Sequence, residues 1–153
     1  MEKYKYIEWF DAAEMHEHSK DWFSELTFIK DEQLFLNNLI QSFAVKAIDK
    51  EAFGQVRDFK LALSENNRSL LALFKMVQKH MNQLEIMIDD VDQLEMEKAY
   101  RITHKELFAK VNDYLLEYRT IKEKGFERLS AILKANKKLS LGNPDYKLRT
   151  TKT

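Results

Sequence analysis

Between Phe53 and Ile88 one stripe of residues recurs at alternating intervals of three and four without interruption. It runs through Phe53, Val56, Lys60, Leu63, Asn67, Leu70, Phe74, Val77, Met81, Leu84 and Ile88. That period marks a helix packed lengthwise against others. With Phe53, Lys60, Asn67, Phe74, Met81 and Ile88 at a and the rest at d, Phe59, Leu73 and Met87 add apolar side chains at g. A seam widened this way suits a helix with two neighbours better than a two-stranded zipper. Similar stripes pass through Met15, Trp22, Leu26, Ile29, Gln33, Leu36, Ile40 and Phe43, and through His104, Phe108, Val111, Leu115 and Tyr118. Tyr100, Leu107, Tyr114 and Ile121 broaden the last.

The boundaries of these helices are written locally. Asp11 followed by Glu14 reads as a capping box, with Phe10 and Met15 at the positions of a hydrophobic staple. Asp49, flanked by Ile48 and Phe53, repeats the cap without the box, and Asp90 with Gln93 is a weaker third case. Gly142 and Pro144 form the one clear stop. With only three Gly and one Pro in 153 residues, little else interrupts a helix. The reading is all-α: an antiparallel up-down-up bundle of three long helices over about 11–44, 50–88 and 91–140, with coiled-coil-like packing. Gly125 is a place for a kink. At 89–90 the heptad slips, since the stripe through Ile88 would continue onto Glu95 and Lys98, so a turn is expected there rather than one continuous helix. Residues 1–153 read as a single domain, flanked by an aromatic segment (1–10) and a basic tail (141–153).

Composition removes several chemistries. The chain has no Cys, hence no disulfide, no Cys-ligated zinc or iron–sulfur cluster and no thiol nucleophile. Neither a Gly-rich phosphate loop nor a G-x-S-x-G elbow occurs. A non-enzymatic protein without a cofactor is expected. The start, MEKYKYIEWF, lacks the apolar core of a signal peptide, and the longest apolar run, 70–74, is far short of the ~20 residues of a membrane span. A cytoplasmic location follows as the expectation.

Two groups of polar residues stand out on the apolar stripes. Antiparallel pairing puts Lys60 level with Glu32 and Gln33, and Asn67 level with Tyr114. Buried polar pairs of this kind set register at a cost in stability. The same arithmetic brings His18, His80 and His104 within about one turn of each other along the axis. Imidazoles converging between helices can hold a transition metal such as zinc or iron, which makes a metal-binding bundle the alternative function. The chain lacks the Glu-x-x-His and His-x-x-x-His pairs of known metal bundles, so locally hydrogen-bonded histidines are the simpler reading.

Zero net charge, 25 basic against 25 acidic residues, conceals a gradient. Residues 1–43 carry four Lys and nine acids, whereas residues 91–153 carry fourteen basic and nine acidic residues. An apolar stripe, Phe126, Leu129, Ile132 and Leu133, runs through the basic part of helix 3. The expected role is an interaction or assembly module, with a protein partner or a second copy meeting this basic part. Nucleic acid is disfavoured because the segment is Lys-rich with a single Phe, and an anionic membrane surface ranks behind a protein partner.

Overall fold

The computed structural model describes residues 10–47, 49–88 and 94–142. Three long helices follow one another, α1 (Ala12–Lys46), α2 (Lys50–Ile88) and α3 (Leu94–Gly142), and pack in sequence as an up-down-up bundle. Both leading caps form. The Asp11 carboxylate accepts the Glu14 backbone N–H at 2.8 Å, and Asp49 accepts that of Ala52 at 2.8 Å. Each satisfies one of the donors that a helix N-terminus leaves open. The Asp90 cap and the 89–90 turn lie outside the described residues. No helix is long and apolar enough to cross a membrane among the described residues.

The chain divides into two compact units, Met1–Gln33 with Asn66–Tyr118 (unit 1) and Leu34–Glu65 with Arg119–Thr153 (unit 2). Each contains a stretch of all three helices. In unit 1 the buried side chains include Met15, Trp22, Leu26 and Ile29 from α1, Leu70, Val77 and Leu84 from α2, and Leu107 and Val111 from α3. In unit 2 they are Leu36, Ile40 and Phe43, then Val56, Phe59 and Leu63, then Leu129 and Ile132. Burying a side chain of this size stabilises by roughly 1.5–3 kcal/mol.

The buried stripe of α2 departs from the sequence reading. The d positions are buried as expected, but they alternate with Phe59, Asn66, Leu73, His80 and Met87 instead of the a set. Phe53 is 53% exposed, Lys60 is exposed, and Asn67 and Phe74 are half-buried. The helix is therefore rotated so that the g positions face inward. Two of them are polar, and apolar pattern alone ranks them below Phe53 and Phe74.

Gly125 does not break α3, which is helical throughout. The residue makes a close approach within unit 2: a Cβ at Gly125 would overlap the end of the Phe59 ring. Further along, the Asn136 side-chain amide donates to the Lys46 carbonyl at 3.2 Å, satisfying one of the carbonyls left open at the end of α1. Gly54 differs, because a Cβ there would meet nothing within 4 Å. Gly54→Ala is expected to raise stability by roughly 0.5–1 kcal/mol by removing backbone freedom from the unfolded chain. Chemical denaturation checks this; an unchanged or lower midpoint would contradict it.

Candidate functional site

Unit 1 carries two polar layers inside its apolar core. They sit 14 positions apart on α2, at Asn66 and His80, which is about 21 Å along a helix.

The first layer joins all three helices through imidazoles. His18 Nδ1 lies 3.2 Å from His104 Nε2, and His104 Nδ1 lies 3.0 Å from His80 Nε2. His104 is fully buried, His80 nearly so, and His18 is half-buried. Trp22 stacks on the His104 ring with centroids 4.6 Å apart, Phe10 meets His18 edge-on at 4.7 Å, and Tyr100 stands edge-on to His80 at 6.3 Å. Each ring–ring bond needs one N–H and one bare nitrogen. In the neutral chain His104 has only one N–H, so both bonds must run in the same direction. Burial pushes the His80 pKa down to about 4. Burial, followed by repulsion from His80 and His18, pushes that of His104 down to about 3. His80 and His104 are therefore neutral at pH 7.

The sequence-level arithmetic thus brings His18, His80 and His104 together, but not as ligands of one ion. His104 meets its partners through different nitrogens, and one ion cannot be held by both nitrogens of a single ring. Of the carboxylates near this end, Glu97 is held by Arg101 at 2.9 Å, and Arg101 also donates to the Phe10 carbonyl at 3.0 Å. Among the described residues no group of three or more His, Asp or Glu is placed to hold a metal.

The second layer centres on Asn66. Its Oδ1 accepts from Gln33 Nε2 at 2.8 Å and from the Tyr114 hydroxyl at 2.7 Å. The Asn66 amide nitrogen is buried with no protein partner. One turn along α3, the Tyr118 hydroxyl donates to Glu32 at 2.5 Å, and the two tyrosine rings stack in parallel at 6.2 Å. Burial raises the pKa of both phenols, and the Glu32 carboxylate raises that of Tyr118 further, so both remain donors.

Glu32 and Tyr114 are therefore engaged, but not with the residues the heptad assignment paired with them. Asn66 replaces Asn67 opposite Tyr114, and Tyr118 replaces Lys60 as the residue bonded to Glu32. Lys60 instead lies on an open groove of about 430 Å³ in unit 2, with Ile40, Ala44, Phe53, Val56 and Arg57. The physical reason is the rotation of α2, which carries the a set out of the core. Axial level does not separate Asn66 from its neighbour Asn67, both being near the level of Tyr114, so the sequence carries no signal for this choice. In unit 2, Leu129 and Ile132 are buried while Phe126 and Leu133 stay 43% and 48% exposed, so half of the C-terminal stripe is spent inside the unit.

Comparison of the chain with protein-family models, with curated proteins and with solved structures finds no match.

Proposed function

We propose that this protein is a non-enzymatic helical interaction and assembly module, with a second copy of the chain as its simplest partner. The supporting observation is the pairing of charge segregation with exposed apolar side chains. Unit 1 has eleven basic and eighteen acidic residues, net −7, and unit 2 has fourteen basic and seven acidic, net +7. Unit 2 also leaves Leu34, Phe35, Val45, Phe53 and Leu61 more than half exposed. Opposite fields of that size orient an encounter, and apolar contacts then hold it. Arg57 and Lys60 beside Phe53 give the unit 2 groove a basic rim suited to an acidic surface.

Sedimentation velocity tests the reading. The chain is expected to associate with rising concentration at low ionic strength and to return towards monomer in high salt, where charges more than a few ångströms apart are screened. Phe53→Ser is expected to weaken association without loss of helix, because Phe53 is 53% exposed. A monomer at every concentration and salt would count against self-association.

A further inference from the structure

We infer that His18, His104 and His80 form a binding site for one shared proton, and that a second proton breaks the chain and opens unit 1. The inference is independent of the assembly role proposed above.

It follows from counting hydrogens. Three rings have six nitrogens, four of which are committed to the two ring–ring bonds. Each bond requires one bare nitrogen. The neutral chain has three bare nitrogens, enough for both. With one extra proton there are two, still enough. Both bonds then hold with the cation on any one of the rings; on His104, for instance, it donates to His18 Nδ1 on one side and to His80 Nε2 on the other. The Trp22 face, 4.6 Å from the His104 centroid, provides a cation–π contact for it. A second proton leaves only one bare nitrogen, so in every arrangement one bond becomes N–H against N–H. That conclusion does not depend on the tautomers assigned to any ring.

The charged groups around the rings act from a distance. From α1 the chain meets Trp22 and the edge of Phe10, with Asp21 and Glu25 on the open groove beside His18. From α2, Lys79 and Gln83 flank His80, and Lys79 opposes any added positive charge. From α3 come Tyr100, edge-on to His80, and Glu106 and Lys110 on the same groove as His80, while Glu97 is occupied by Arg101. Among the described residues no carboxylate hydrogen-bonds to any of the three rings. His18, half-buried, is the way in for the proton, and His104 passes it inwards. The His80 Nδ1, buried without a partner, carries hydrogen in each of these arrangements once the shared proton is bound. Since the buried rings bind protons less readily folded than unfolded, the unfolded chain takes up more protons from about pH 6.5 downwards. Stability present at neutral pH is therefore lost as pH falls through that window towards the lowered values of His104 and His80.

The test uses the full chain carrying Trp9→Phe, which leaves Trp22 as the only tryptophan. Imidazole nitrogen resonances, Trp22 fluorescence and amide exchange are followed from pH 7.5 to pH 3. His80 and His104 are expected to stay neutral well below pH 6.5, and protection of unit 1 amides is expected to collapse with uptake of more than one proton. His104→Phe, which abolishes both links, is expected to move the acid midpoint down by about one pH unit, whereas His16→Asn leaves it in place. If His104→Phe does not fold, the resonances of the parent chain decide alone. Titration of all three rings near pH 6.5 with unit 1 protection intact overturns the inference, as does an acid midpoint of a folded His104→Phe equal to that of the parent.

Discussion

Asn66→Ala is expected to lower stability by about 3–5 kcal/mol, a large fraction of what a domain of this size possesses. One oxygen, Asn66 Oδ1, serves two buried donors, Gln33 Nε2 and the Tyr114 hydroxyl. Removing it strands both, and each unmet buried donor costs about 1–3 kcal/mol. The lost side-chain volume adds a small cavity, because Asn66 is only 1% exposed. Asn67→Ala, one position along and half-buried, is the control and is expected to change stability by less than about 1 kcal/mol. Converting the whole layer, with Gln33→Leu, Asn66→Leu and Tyr114→Phe together, is expected to recover most of the loss, since no donor is then stranded. Urea denaturation of the four proteins checks the pattern. A cost below 1 kcal/mol for Asn66→Ala would mean that the two donors are satisfied without it.

Gly125→Ala is expected to destabilise by about 2 kcal/mol although alanine is the better helix former by about 1 kcal/mol. The added methyl would occupy space already filled by the Phe59 ring, and Phe59 is 1% exposed, so the ring cannot swing away without disturbing its neighbours. The effect has opposite sign to that of Gly54→Ala, a change of the same chemistry in open space. If the clash is the cause, Phe59→Leu should rescue it. The double mutant is then expected to be more stable than the two single costs predict, by about 1 kcal/mol or more. Simple additivity, or a stabilising Gly125→Ala, would show that the two residues do not touch.

Much of this architecture is legible in linear order because its causes are local. Asp11 and Asp49 cap helices through their own following backbone, so their positions announce where α1 and α2 begin. The α1 stripe from Met15 to Phe43 is readable because nearly all its inward positions are apolar, leaving only Ser19 unseen, and its hydroxyl bonds back to the Met15 carbonyl. The convergence of His18, His80 and His104 could also be read, since helix rise and short connections set axial level. Which flank of α2 turns inward could not. Rotating that helix by one position keeps every d residue buried and merely exchanges the a set for the g set, and by hydrophobicity the a set is the richer. The outcome is decided by polar groups that find partners only across helices: Asn66 between Gln33 and Tyr114, and His80 bonded to His104. Linear pattern has no means to weigh such pairings, because a buried polar residue without a partner is costly and with one is not. The same holds for Gly125, whose role depends on a ring arriving from another helix, and for the histidines, where ring orientation converts an apparent ligand set into a chain of hydrogen bonds.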